Sequence, residues 1–288
     1  MEGLLVRAVS SFYYVSCGDT VYECKARGAF RKENISPVVG DRVEFSILND
    51  DKGVLNAVLP RKNMLQRPLI ANIDKLFIVS SFKTPAPDLL MIDRLTAMAV
   101  ANNIRLVIVF NKSDLGDMSG YAKIYLSAGF SAYIVSVKDG IGLEPLKAET
   151  ENCICAFAGN SGVGKSSLLN ALFKNADAKT GDVSLKLGRG KHTTRHTEIY
   201  KFGNTFMVDT PGFAAISFDN IENIDKDNLA DFFPDFNDYQ GTCRYSTCSH
   251  TCEPGCGILD AVNRGEIQKT RHESYIAFYN ELKQRKKW

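Results

Sequence analysis

The 288-residue chain has no apolar run approaching the ~18–20 residues that a membrane-spanning helix needs. Its opening, MEGLLVRAVSSFYY, lacks the charged segment and long apolar stretch of a secretory leader. We find no internal repeat and no low-complexity tract. There is one tryptophan, and histidines number four. These absences argue against a membrane span and a secreted disulfide scaffold. The composition is that of a globular protein, 44% hydrophobic and 24% charged, and the length suits two or three domains. Eight cysteines without an export signal point to a reduced, cytoplasmic chain in which clustered thiols mean metal or redox chemistry.

Net charge is only +2, but it is unevenly spread. Residues 217–240 carry seven acids against Lys226, and residues 264–288 carry seven bases against three acids. The basic tail could touch nucleic acid or simply solubilise the terminus.

Residues 3–58 contain five short β-type runs, LLVRAVS, FYYVSC, TVYECKAR, DRVEFSIL and GVLNAVL, separated by turn residues. This suits a small Greek-key barrel of the OB type, and an SH3-like barrel fits nearly as well. The proline-bounded basic stretch 60–68 reads as a linker. From residue 72 apolar strands alternate with helical segments: KLFIVSS, a helix capped by Asp88 and running to about Asn102, RLVIVF, a helix over 119–128, AYIVSV and CICAFAG. A helix over about 165–175 and a hairpin from EIYKFG and TFMVDT follow. That alternation predicts a parallel sheet flanked by helices. The expected domains are 1–67, 68–216 and 217–288, the last mostly helical.

Gly159-Asn160-Ser161-Gly162-Val163-Gly164-Lys165-Ser166 matches G-x-x-x-x-G-K-[ST] between an apolar strand and the helical run SSLLNALF. Glycines here let backbone N–H groups turn onto phosphate oxygens, and the helix N-terminus adds partial positive charge. Lys165 would reach the β and γ phosphates, Ser166 would place its hydroxyl on Mg²⁺, and Ser167 continues the same turn. Asp209-Thr210-Pro211-Gly212 follows the strand TFMV. Its carboxylate suits the Mg²⁺ shell and the Gly212 N–H suits a γ-phosphate.

Asn111-Lys112-Ser113-Asp114 follows RLVIVF. Guanine presents N1–H beside its 2-amino group, and the Asp114 carboxylate can accept both. Asn111 can reach the O6/N7 edge or tie this loop to the phosphate loop, and the Lys112 stem can cover the purine face. Ser136-Val137-Lys138 ends the next strand and could direct a backbone N–H at guanine O6.

These motifs are those of a Ras-like GTPase, but with the base reader ahead of the phosphate loop. The whole chain resembles the circularly permuted GTPases, most closely the ribosome small-subunit-dependent GTPase A family. The features that carry the likeness are the barrel, N-K-x-D, G-N-S-G-V-G-K-S, Gly188-Arg189-Gly190-Lys191-His192-Thr193-Thr194, D-T-P-G and a Cys/His cluster. The resemblance implies a GTP hydrolase that binds the small (30S) ribosomal subunit and its rRNA late in that subunit's maturation and is stimulated by that subunit; the chain itself is expected to be a monomer. The alternative is a GTP-binding scaffold with little turnover. A P-loop kinase is disfavoured by N-K-x-D.

The basic loop between the phosphate-loop helix and the hairpin contains Thr193 and Thr194, either of which could bind Mg²⁺ and the γ-phosphate. Phe213 stands where many GTPases place a water-orienting glutamine, and phenylalanine cannot orient water. His192 is the candidate for that task, with support from the resemblance, and His196 is the weaker one.

Cys243, Cys248, His250 and Cys256 fall within fourteen residues and suit a closed tetrahedral Zn²⁺ site of structural type, one ion per chain. Cys252 could compete for a position and is left out. Cys17, Cys24, Cys153 and Cys155 lie in strand patterns and are expected to be buried apolar residues.

Overall fold

The computed structural model describes residues 1–28, 30, 36–173, 197–209 and 224–285. Contacts group the chain into two compact units. One is Met1–Leu76, Glu144–Phe157 and Ser166–Ala214, and the other is Phe77–Leu143, Ala158–Lys165 and Ala215–Trp288.

In the first unit, β1 (Glu2–Val9), β2 (Phe12–Cys17), β3 (Thr20–Ala26), β4 (Arg42–Asn49) and β5 (Lys52–Val58) form a barrel. β1–β2–β3 is an antiparallel meander, β3 pairs β5 in parallel, β5 pairs β4, and β4 returns to β1. That closed order, with its single parallel pairing, selects the OB arrangement over the SH3-like one. Leu5, Val15, Cys24, Val43, Phe45 and Leu55 alternate inward and are fully buried. Cys24 therefore behaves as a core residue, and burial raises its thiol to about 11. Cys155 is likewise fully buried, whereas Cys17 and Cys153 are half-buried.

The expected linker is fastened rather than free. Arg61 donates from Nε and Nη2 to both oxygens of buried Asp41, at 2.6 and 2.8 Å, and again to the Ser36 carbonyl at 2.9 Å. The chain then forms a short hairpin, β6 (Met64–Gln66) against β7 (Leu69–Ala71), and the Asn63 side chain exchanges two hydrogen bonds with the Ile73 backbone. Bidentate guanidinium–carboxylate pairing, invisible to local composition, is the reason.

β11 (Ile154–Ala158) runs parallel to β13 (Thr205–Asp209), and β12 (Glu198–Phe202) pairs antiparallel with β13 as the expected hairpin. β12 also meets β1 at Arg7 and Glu198, whose side chains form an ion pair at 3.6 Å.

In the second unit, β8 (Lys75–Ser81), β9 (Arg105–Asn111) and β10 (Ser131–Ile134) lie in the order β10-β9-β8, with β9 and β10 parallel. β8 and β9 are buried on both faces, as their unbroken apolar runs require. β10 is shorter than AYIVSV suggests, because the backbone at Ser136 turns to bridge Ile141. α1 (Leu89–Ala101) starts where the Asp88 carboxylate accepts from the Met91 N–H at 3.0 Å, and it buries Ile92, Leu95, Met98 and Ala99. α2 (Ser119–Ser127) follows β9; α3 (Leu143–Ala148) and α4 (Lys165–Phe173), which fall almost wholly in the first unit, flank β11 along the chain. The C-terminal region has two 3₁₀ turns, Leu229–Phe232 and Pro234–Phe236, then α5 (Gly257–Asn263) and α6 (Lys269–Gln284). Phe233, Phe236, Tyr275 and Phe278 make its fully buried aromatic core. Among the described residues no helix is long and apolar enough to cross a membrane.

Candidate functional site

β11 ends at Ala158, and the chain turns through 159–164 before α4 begins at Lys165. Two glycines in this turn are required by space and conformation together. Gly159 has φ +139°, and a Cβ there would run into the Val79 carbonyl oxygen; Gly164 has φ +93° and abuts the Asn111 amide. Lys165 Nζ donates to the Gly159 and Asn160 carbonyls at 2.6 and 2.8 Å. Burial lowers the Lys165 ammonium from its ordinary value, a cost that a phosphate anion would offset. Ser161 and Gly162 are exposed on the loop, as are Ser166 and Ser167 on the first turn of α4, while Val163 is buried.

The base-reading loop at the end of β9 is stitched to this turn. Buried Asn111 donates from Nδ2 to the Val163 carbonyl at 3.0 Å. Lys112, held at φ +63°, donates from Nζ to the Gly162 carbonyl at 2.7 Å and to the Thr84 carbonyl at 3.3 Å. The Ser113 N–H donates to the Val135 carbonyl at 3.1 Å. Of the two uses open to Asn111, the tie to the phosphate loop is the one seen.

Asp114 is aimed by its neighbours: its side chain is 14% exposed, Oδ1 accepts from the Ser136 hydroxyl at 3.1 Å, and Lys138 Nζ stands 3.8 Å from Oδ2. Within the motif 136–138 the Ser136 backbone is already engaged. Its N–H donates to the Ile141 carbonyl at 3.1 Å, so an amide contact to a base falls to Val137 or Lys138. The Ser136 hydroxyl instead holds the reader in place, a detail that spacing does not reveal.

Asp209 closes β13 at its C-terminal end, and Ser166 sits in the first turn of α4; both offer the hard oxygen that Mg²⁺ prefers. His192, Thr193, Thr194, His196, Gly212 and Phe213 lie outside the described residues.

The Cys/His cluster is brought together. The ligand atoms of Cys243, Cys248, His250 and Cys256 all lie within 4.8 Å of one another. The Cys243 and Cys256 sulfurs are 3.8 Å apart, and each is 3.5 Å from His250 Nδ1. Burial pushes the Cys248 thiol up to about 12 and raises Cys256, so a nearby cation is needed to hold thiolates there. Burial also lowers His250, favouring the neutral imidazole that a metal requires. The four residues could hold a metal ion.

The loop around them is fastened by groups that sequence reasoning missed. Glu253 accepts from the Ser249 N–H and from the Thr251 and Cys252 N–H groups, at 2.8, 3.2 and 3.2 Å. His272 Nε2 donates to the His250 carbonyl at 2.7 Å, and the Tyr275 hydroxyl donates to that of Ser249 at 2.9 Å. Only an acid set among small polar residues, S-H-T-C-E, could have hinted at the first of these.

A phosphate loop that follows its base reader along the chain, on an α/β sheet, defines a circularly permuted P-loop GTPase. Comparison with known proteins agrees and goes further. The chain belongs to the RsgA GTPase family: residues 58–219 match the RsgA GTPase, and residues 2–55 match the RsgA N-terminal domain. It is 41% identical to the small ribosomal subunit biogenesis GTPase RsgA of Geobacillus sp. (strain WCH70), over 99% of this chain and 98% of that one. The protein of the same name from Ruminiclostridium cellulolyticum is 43% identical, over 98% and 93%. Two crystal structures superpose over nearly the full length. YjeQ from Thermotoga maritima has TM-score 0.84 at 36% identity and covers 99% of each chain; YloQ, a circularly permuted GTPase, has TM-score 0.82 at 32% identity, covering 100% of this chain and 96% of its own.

Proposed function

We propose that this chain hydrolyses GTP to GDP and phosphate in the maturation of the small ribosomal subunit, binding the 30S particle and its rRNA as a cytoplasmic monomer. The observation that carries the reading is the stitching of Asn111 and Lys112 onto Val163 and Gly162, which makes base reader and phosphate loop one receptor. Relatives of nearly the same length bear the name of a small-subunit biogenesis GTPase, which supports the partner.

In this reading Asp114 accepts the guanine N1–H and 2-amino hydrogens, and Lys112 lies along the purine. The amides of residues 159–164 hold the phosphates, with Lys165 on the β and γ groups. Ser166, Asp209 and one of Thr193 and Thr194 would hold Mg²⁺, which would supply charge neutralisation at the phosphates. Gly212 offers its N–H to the γ-phosphate. His192 orients the attacking water in place of the glutamine that Phe213 displaces. The domains doing this work are the barrel, 1–67, the G-domain, 68–216, and the C-terminal region, 217–288.

The ion of the Cys/His cluster is zinc in this reading. Bond lengths of about 2.3 Å to sulfur and 2.0–2.1 Å to nitrogen give tetrahedral edges of about 3.8 and 3.6 Å. The observed separations of 3.8 and 3.5 Å fit these edges.

Co-sedimentation with purified small subunits tests the function: retention with a non-hydrolysable GTP analogue and release with GDP support it. Equal sedimentation in every nucleotide state would favour the scaffold reading, which Phe213 motivates.

A further inference from the structure

Arg271 is the largest fully buried side chain among the described residues. It lies in α6, on the segment whose bases read as a solvated tail. Its Nη1 donates to Asp93 Oδ1 at 2.8 Å and to Thr96 Oγ1 at 3.1 Å, both on α1. Nε and Nη2 donate to the two oxygens of Asp235 at 3.2 and 2.7 Å. The rings of Phe233 and Phe130 flank the guanidinium, with centroids 4.8 and 5.5 Å away. A buried ion cluster adds little over a well-packed apolar replacement yet is costly to break, so position is the property it can specify.

Two lines of contact leave this cluster. One runs along α1 to its cap at Asp88 and the preceding loop. There the Ser81 hydroxyl donates to the Pro85 carbonyl at 2.9 Å, and the Thr84 carbonyl accepts from Lys112, which also grips Gly162. The other begins at the next residue, His272, whose bond to the His250 carbonyl, with that of Tyr275 to Ser249, fastens the Cys/His loop to α6.

We propose that Arg271 is a positioning residue for the nucleotide site: by clamping Asp93 it fixes α1 and the loop ahead of it, and so sets where Lys112 and the phosphate loop stand. The Cys/His loop, held on the same helix, is thereby tied to nucleotide affinity. This inference rests on the nucleotide-site reading above.

The test is the dissociation rate of a fluorescent GDP from the full-length chain in Arg271→Met, Lys112→Met and the double variant. A merely structural Arg271 gives independent losses whose factors multiply. The proposal expects Arg271→Met alone to speed release about fivefold or more, an ordinary scale for coupling between sites. It expects the double variant to release no more than about twofold faster than Lys112→Met, since both act through one contact. Glu281→Gln weakens the pair to Arg94 between the same two helices while leaving Arg94 over the Phe278 ring, and should leave release within about twofold of wild type. Losses that multiply, or unchanged release from folded Arg271→Met, overturn the assignment. Where Arg271→Met does not fold, Asp93→Asn takes its place, keeping an oxygen toward Nη1 while removing one charge. Release faster by about threefold then supports the proposal, and unchanged release overturns it. A wild-type chain that binds no guanine nucleotide would overturn the nucleotide-site reading and this inference together.

Discussion

The base-reading corner and the Cys/His loop sit in the same compact unit but are built by opposite means. At the corner the chain supplies most of its own partners: Lys165 spans two loop carbonyls, Lys112 spans two more, and Asn111 caps Val163 through Nδ2, leaving its buried Oδ1 without a partner. In the loop the backbone is well fastened, but four soft donor atoms gather within 4.8 Å of one another in a setting that disfavours thiolates. The corner is thus a receptor formed by the protein alone, whose ligand exchanges one set of bonds for another. The loop offers a donor set that a cation could complete.

The sharpest way to break this comparison is to remove the metal. Structural zinc is worth about 10 kcal/mol or more in small modules. Chelation or Cys256→Ala should therefore abolish hydrogen-exchange protection over residues 240–260, and metal analysis should find one zinc per chain in untreated protein. Protection that survives chelation would make the loop as self-sufficient as the corner.

The corner has its own test in Asp114→Asn. Replacing one acceptor by a donor should cost about 3 kcal/mol against guanine, roughly 10²-fold in affinity, and favour xanthine nucleotides. Equilibrium binding of the two nucleotides reads this directly, and unchanged base choice would remove Asp114 from the reader. Asn111→Ala is smaller. It leaves the buried Val163 carbonyl without its donor, for about 1–3 kcal/mol, read by denaturant unfolding with and without nucleotide.

A further effect, screened by the solvent that reaches this loop, is a pH dependence of its fastening. Burial works to raise Glu253, but hydrogen bonds from the Ser249 hydroxyl and from backbone amides outweigh it and hold the carboxyl at about 2, below its ordinary 4.5. A value depressed on folding stabilises fully above the unfolded value and is lost as pH falls through the folded one. Glu253→Gln should flatten the acid limb between about pH 4.5 and 2, seen as a shrinking difference in stability between wild type and variant. A difference constant across that range would show that Glu253 is not held this way.

The phosphate loop, base reader and Cys/His cluster were legible because each is a short contiguous motif whose chemistry depends on spacing. The barrel's five strands were legible too, but its OB closure needed the β3–β5 and β1–β4 pairings, which are long-range. What stayed hidden depends on partners far along the chain. Arg271 counts as one base of a basic tail until Asp93, 178 residues away, and Asp235 bury it. Arg61 reads as linker until Asp41 is placed beside it. The Ser136 hydroxyl on Asp114 is equally invisible to spacing.

The central claim is that the preformed corner serves a GTPase that the small subunit turns on. Phosphate release from GTP, measured with and without purified small ribosomal subunits under single-turnover conditions, tests it most directly. The account predicts slow release alone, faster release by a factor of about 10² or more on subunits, and loss of that gain in His192→Ala with GTP affinity retained. Release that small subunits leave unchanged would contradict it.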